Sequence, residues 1–230
     1  MKKKRIDGFS CFILFLITII IFFFIQLLTD MQEEKKQYTV LFSLGDLCYD
    51  DDFLQKAAKI KGIKEIWPVV EIPVNIKIED YTKETAFLGI DFNAFGNNPD
   101  QEKLGNTPML LLGTKSLQGM KDYNGHSISQ KQQAKYLQSG KDLNVSYALT
   151  SLSEGSQKQN TYFPCKVITC SEKEADNIYI PLFQAQKLCQ KSGKQLTVTK
   201  VLLKIDGKRN LEKAKQLFIY SDINSGTIMG

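Results

Sequence analysis

Val70-Glu-Ile-Pro-Val-Asn-Ile-Lys-Ile78 is the stretch on which the fold turns. Val70, Ile72, Val74, Ile76 and Ile78 alternate with Glu71, Pro73, Asn75 and Lys77. That period of two puts the apolar side chains on one face of a strand and the polar ones on the other. A strand wet on one face belongs to a sheet covered on one side, which points to an α+β domain. Pro73 has no N–H to give to a ladder, so the strand is expected at a sheet edge or bulged there. Asp80-Tyr-Thr-Lys-Glu84 predicts a turn into a second strand, Thr85 to Asp91, making a hairpin.

Upstream, Tyr38 to Leu44 reads as a strand closed by Gly45-Asp46. Phe53, Leu54, Ala57, Ala58 and Ile60 then recur at helical spacing, with Asp52 as the expected N-cap, Lys59 and Lys61 suiting the C-terminal dipole and Gly62 as the stop. The acids Asp50 to Asp52 read as capping and solvation, because the spaced acidic loop of a calcium site is missing.

Downstream, Phe92 to Pro108 reads as loop, Met109 to Leu112 as a short strand, and the residues after Ser116 as a short helix. The polar segment 120–160 shows one strand, Val145 to Leu149, and Ser153 to Asn160 is expected to be a mobile loop. Strands follow at Tyr162 to Cys170 and Asn177 to Ile180. Pro181 is placed at the first position of a helix that ends near Gly193. Leu196 to Ile205 is β-rich, and Asn210 is expected to cap a last helix, Leu211 to Phe218. The two chain ends thus predict one sheet with helices on one face and a β-rich middle inserted as a second lobe.

Phe9 to Leu28 holds twenty residues without a charged side chain, preceded by Lys2-Lys-Lys-Arg5 and followed by a charged run from Asp30 to Lys36. A helix of that length crosses a hydrocarbon core of roughly 30 Å. The run exceeds a signal-peptide core and ends without a small-x-small cleavage triplet, so an uncleaved anchor is expected. The basic residues place the N-terminus in the cytoplasm and the domain outside. Thr29 to Gln37 either continues the helix or forms a short tether. Beyond residue 28 the chain has 26 basic and 24 acidic residues, which leaves no electrostatic footprint for nucleic acid.

Of five cysteines, Cys48, Cys165, Cys170 and Cys189 lie outside the apolar run. They allow two disulfides in any of three pairings, or four isolated buried thiols. Along a strand Cys165 and Cys170 are about 16 Å apart and on opposite faces, beyond disulfide reach of each other. No Cys-x-x-Cys spacing suggests a metal.

Four segments occur in an order that resembles the extracytoplasmic core domain of MacB-type ABC-transporter permeases. They are Gly62-Ile-Lys-Glu-Ile-Trp-Pro68, Phe87-Leu-Gly-Ile-Asp91, Pro108-Met-Leu-Leu-Leu-Gly113 and Asn177-Ile-Tyr-Ile-Pro-Leu-Phe-Gln184. The resemblance implies a basic tail at 1–8, a transmembrane helix from Phe9 to Leu28, a tether at 29–37 and a core domain over 38–220. Within that core it implies a porter-like lobe from 38–104 and 171–220, an inserted lobe from 105–170, and a tail at 221–230. It further implies a non-catalytic, single-pass membrane component of a transport or efflux system, with a separate ABC ATPase and a multi-span permease as partners and room for self-association. The family returns to the membrane through three more helices after this domain; none is present in the sequence, which is expected to be either a truncated permease or a one-helix relative.

No residue pattern argues for catalysis, a cofactor or a metal. Gly113-Thr-Lys-Ser116 lacks the Gly-x-x-x-x-Gly-Lys arrangement that wraps phosphate, and position 108 is Pro. His126, the sole histidine, has no motif partner for a nucleophile and reads as a surface side chain. Trp67 and Tyr81 are candidate ligand-facing aromatics, although Trp67, next to Pro68 at a strand start, reads first as a core or hinge packing residue. Asn144-Val-Ser146 matters only in a eukaryotic secretory pathway, and the resemblance points to a bacterium. The alternative function is a stand-alone surface module that binds or senses a ligand.

Overall fold

A long strand, Ile63–Ile78, organises the domain. The computed structural model describes residues 8–95, 107–138, 143–150, 161–170, 176–192 and 195–218. The expected loop at Ser153 to Asn160, most of the loop between Phe92 and Pro108 and the terminal tails at 1–7 and 221–230 lie outside them. In chain order the elements are α1 (Gly8–Lys35), β1 (Gln37–Ser43), α2 (Asp51–Ala58), β2 (Ile63–Ile78), β3 (Tyr81–Ile90), a short 3-10 turn (Phe92–Phe95) and β4 (Met109–Leu112). Then come α3 (Gln130–Gln138), β5 (Val145–Leu149), β6 (Phe163–Cys170), β7 (Ile178–Pro181), α4 (Leu182–Ser192), β8 (Val198–Asp206) and α5 (Lys208–Leu217). The fold is α+β with one N-terminal apolar helix.

The strands form one eight-stranded sheet in the order β1-β8-β2-β3-β7-β4-β6-β5. A further pairing of β5 with β2 closes β2, β3, β7, β4, β6 and β5 into a ring. Most neighbours are antiparallel, and β3–β7 and β4–β6 are parallel. One edge of β2 therefore serves two partners: β8 along Ile63 to Val70, then β5 along Val74 to Ile78.

That change of partner corrects the expectation for Pro73. β2 is central rather than an edge, and Pro73 pairs with Ala86 in the ladder to β3. Its carbonyl accepts from Thr150 N–H at 3.2 Å, so its nitrogen faces the same side, in the gap where β8 has ended and β5 has not begun. Thr150 stands opposite, so the reciprocal bond from residue 73 is the one the sheet goes without, at the point where β2 changes partner.

The alternating residues behave as their period requires. Val70, Ile72, Val74, Ile76 and Ile78 are all buried inside the ring with Phe87, Leu110, Leu112, Leu117, Met120, Ile178 and Ile180. α4 closes this core, and its Ala185 sits so close to Gly89 that a Cβ there would lie 2.2 Å from the Ala185 Cβ. Gln184 is buried yet satisfied: it accepts from Met109 N–H at 2.9 Å and donates to the Thr107 carbonyl at 3.0 Å, tying α4 to β4. A second cluster joins Phe42, Phe53, Ala57, Leu203, Leu211 and Phe218, where α2 and α5 cover β1 and β8. A third, around Val69, Leu88, Ile90, Tyr179 and Leu202, lies on the opposite face of the sheet, with Trp67 half-buried against it.

Several local expectations are displaced. Asp50, not Asp52, caps α2: its side chain accepts from Phe53 N–H at 2.8 Å, while Asp52 lies within the helix and pairs with Lys56. The hairpin turn is tighter than expected, with Glu79 at φ 53° and Tyr81 already in β3. Residues 114–119 form turns rather than a helix. Pro181 closes β7 instead of opening α4, because the strand runs directly into the helix. α3 was not expected in the polar middle. Ser129 and Gln132 form its capping box, with Gln132 N–H donating to Ser129 Oγ at 3.3 Å and Ser129 N–H to Gln132 Oε1 at 3.4 Å.

Candidate functional site at the helix–domain junction

As far as Leu28, α1 is apolar on every face and apart from the domain. From Phe15 to Leu28 its large apolar side chains are exposed except for half-exposed Ile19, and the most apolar part of the helix is wholly unburied. By length and composition this is the one described helix able to cross a membrane. A bare apolar surface of this extent needs lipid or a partner to cover it.

Residues 29–35 continue the helix, so of the two readings of this segment the structure adopts the helical one, and Lys36 alone separates α1 from β1. The end of α1 is locked to the start of α5. Gly207 N–H donates to the Lys36 carbonyl at 2.9 Å. The Glu34 carboxylate accepts from Arg209 N–H at 3.2 Å and pairs with Arg209 Nε at 3.4 Å. A carboxylate on the first amides of a helix satisfies orphan donors and meets the positive end of its dipole. α5 needs this cap from outside, because the residue before it is Gly207, which has no side chain to offer. Asn210, expected as the cap, lies inside the first turn and donates from Nδ2 to the Asp206 carbonyl at 2.7 Å.

Glu33 completes the junction. It accepts from the Tyr38 hydroxyl at 2.8 Å and faces Lys208 Nζ at 4.0 Å. Burial, reinforced by Glu33, pushes the Tyr38 phenol up to about 12. Beside it, Gln37 Nε2 donates to Asp206 Oδ1 at 2.9 Å and Lys64 approaches Asp206 at 3.2 Å. Those contacts, Gln37 first, hold the Asp206 carboxyl below the usual range. Gly207 is confined by its φ of 83°, and a Cβ on it would lie 2.9 Å from Glu34 Oε2 and 3.0 Å from the Glu34 carbonyl oxygen. The spacing of the sequence does not bring Glu33, Glu34 and Gly207 together, because Glu34 and Arg209 are 175 residues apart.

Two other places have the shape of recognition surfaces. A cavity of about 300 Å³ opens between the β1–α2 loop and α5, floored by Phe53, Ala57, Ile60 and Phe218, with Asp46 and Cys48 on its rim. At the other end of β2 the backbone of Lys121 pairs with Thr82 and presents the loop Asp122 to His126. Asp122 accepts from the N–H groups of Asn124 and His126 at 2.9 and 2.8 Å and meets His126 Nδ1 at 3.2 Å. Tyr123 projects from this braced loop at 91% exposure. Partial burial works against the Asp122 carboxylate, but the bonds from His126 and Asn124 outweigh it and leave its pKa lowered.

The residues singled out in the sequence are scattered. Gly113 N–H is engaged by the Asn177 carbonyl and Ser116 N–H by the Gly113 carbonyl, and the Ser116 side chain is buried. Lys83 points into the ring, its Nζ donating to the Ser116 carbonyl at 3.4 Å, and burial lowers its pKa. Tyr81 packs on the ring core, stacks edge-on with Tyr136 at 6.4 Å and bonds Gln132 at 3.2 Å. Asn144 N–H donates to Glu79 Oε1 at 2.9 Å. None of Cys48, Cys165 and Cys189 is in a disulfide; Cys165 and Cys189 are buried but Cys48, expected buried, is exposed, and burial pushes the Cys165 thiol up. The side chains of Cys11 and Cys170 lie outside the described ones.

Fold and junction together define an α+β domain carried on an N-terminal helix long and apolar enough to cross a membrane. No protein-family model matches the chain, and no curated protein matches it. Its fold is similar to the extracellular domain of the noncanonic ABC-type transporter YknZ from Gram-positive bacteria, 11% identical, covering 77% of this chain and 88% of that one at a TM-score of 0.39. It is also similar to the periplasmic region of MacB from Actinobacillus actinomycetemcomitans, 12% identical, covering 79% of this chain and 83% of that one at a TM-score of 0.37. The second belongs to the family that the four ordered sequence segments resemble.

Proposed function

We propose that this chain is a membrane-anchored, non-catalytic extracytoplasmic component of an ABC-type transport system. The observation that carries the reading is the junction: an apolar, unburied helix runs into the domain without a flexible break and is pinned there by Glu33, Glu34 and Gly207. A domain built this way moves with its helix, which suits a part that passes displacement between membrane and exterior. The four segments resembling the MacB-type permeases support the system class, and Lys2 to Arg5 support a cytoplasmic N-terminus with one crossing. In this reading 9–28 spans the membrane, 38–220 is the core domain, and ATP hydrolysis belongs to a separate subunit that works with a multi-span permease.

Affinity purification of the full chain from mild detergent, followed by mass spectrometry, tests it. An ABC ATPase and a multi-span permease in stoichiometric amounts are expected. Recovery of the chain without either, under conditions that keep other transporters intact, contradicts the reading. The second reading, a stand-alone surface binding module, is favoured by the apolar cavity above Phe53 and Phe218. It predicts that the solitary chain binds a ligand and that Ala57→Trp, which fills the cavity, abolishes binding.

A further inference from the structure

The end of α1 and one face of α5 enclose a groove of about 810 Å³ that the proposed function does not use. Leu27 and Met31 form its apolar side at 56% and 52% exposure, and Lys35, Lys208, Arg209 and Lys213 carry its positive charge. Positions 208, 209, 212 and 213 share one side of α5, because they repeat at helical spacing. The carboxylates of the groove are mostly engaged: Glu33 with Tyr38 and Lys208, Glu34 with Arg209, and Glu212 with Lys215. Lys35 and Lys213 have no carboxylate partner among the described residues, and Asp30 is the one acid left to balance them.

Depth decides what meets those charges. If the hydrocarbon ends at Leu28, a rise of about 1.5 Å per residue puts Met31 roughly 4.5 Å and Glu34 roughly 9 Å beyond it. The headgroup layer on each side is roughly 5–7 Å thick, so the groove opens within it and at its outer surface. Apolar side chains at the inner margin with ammonium and guanidinium groups above them match the glycerol and phosphate levels of a phospholipid. The opposite end of β2 is far away: sixteen residues of strand reach roughly 50 Å.

We propose that the α1–α5 groove is a docking surface for phospholipid headgroups of the leaflet from which α1 emerges. Lys35 and Lys213 meet lipid phosphates while Leu27 and Met31 meet the start of the acyl chains. The domain then stands on the membrane by α5 as well as hanging from α1, which fixes its tilt. This inference rests on reading α1 as membrane-spanning.

The test uses the full chain in nanodiscs of phosphatidylethanolamine and phosphatidylglycerol, with the photo-crosslinker p-benzoylphenylalanine placed singly at positions 24, 213 and 123. Lipid adducts detected by mass spectrometry are expected at 24 and 213, with none above background at 123. Adducts at 24 without adducts at 213 overturn the docking surface and leave the membrane reading intact. No adduct at 24 removes both. Equal adducts at 213 and 123 also overturn it, because a protein that contacts lipid everywhere has no docking surface. In a folded chain, Lys35→Glu with Lys213→Glu is expected to reduce adducts from a probe at position 209, while Lys35→Arg with Lys213→Arg leaves them unchanged; equal adducts in both pairs also contradict the phosphate contact.

Discussion

The two ends of β2 are held by different physics. Toward Ile78 the strand lies in a closed ring, and its fully buried Val74, Ile76 and Ile78 meet Phe87 and Tyr147, whose rings approach to 5.5 Å. Toward Ile63 it approaches the junction, where the tie between α1 and the domain is a set of polar contacts: Glu34 on Arg209, Glu33 on Tyr38, and Lys36 on Gly207. One end is secured by removing apolar area from water, an effect that is large and indifferent to direction. The other depends on a few oriented bonds, each small, whose value lies in fixing an angle between helix and sheet.

The comparison predicts unequal losses. Phe87→Ala, at the ring end, should cost about 3–5 kcal/mol, from lost burial and the cavity left among residues that cannot collapse. Urea unfolding of the detergent-solubilised chain measures it, and a loss no larger than that of a surface substitution would break the contrast. At the junction, Gly207→Ala should cost about 1–3 kcal/mol, because a non-glycine residue at φ 83° is strained and the new methyl presses on Glu34. Glu34→Ala should cost about 1 kcal/mol, the usual worth of an N-cap, while Glu34→Gln keeps an acceptor and most of the stability.

The period-two residues of β2 could be read in advance because the information is local: every second side chain is apolar, and one buried face follows. The same holds for β4, β5 and β8, and for α2, whose cap moved by two residues between neighbouring aspartates. Pro73 was misjudged because a strand that changes partner midway offers a site without a ladder bond inside a sheet, and no local pattern announces that. α3 was legible in Ser129 and Gln132 but lacks a buried face, so periodicity was silent. The junction was the least visible. Glu34 and Arg209 are 175 residues apart, and Gly207 is left uncapped by its own neighbours because the cap arrives from another helix.

Alkaline pH offers a finer probe of both ends. Tyr38 at the junction and Tyr147 and Tyr179 in the sheet are pushed, by burial first, from the ordinary 10.0 to about 12. All are protonated in both states below pH 10, so their contribution is intact there. Between about 10 and about 12 the unfolded chain releases these protons first, and stability falls as pH rises. Lys83 acts in the opposite sense, since its lowered pKa lets the unfolded chain hold a proton longer. The urea midpoint should therefore decline over that window, and Tyr38→Phe should make the decline shallower. An unchanged slope would mean that Tyr38 is not buried against Glu33.

Whether α1 is fixed to the domain is best tested by hydrogen–deuterium exchange on the full chain in nanodiscs, following residues 29–36 and 207–217. The account predicts that both segments are protected, and that Glu34→Ala releases them together while the ring strands β2 and β3 stay protected. Exchange of 29–36 at the rate of unstructured chain, with 207–217 still protected, would show a flexible leash and contradict the junction.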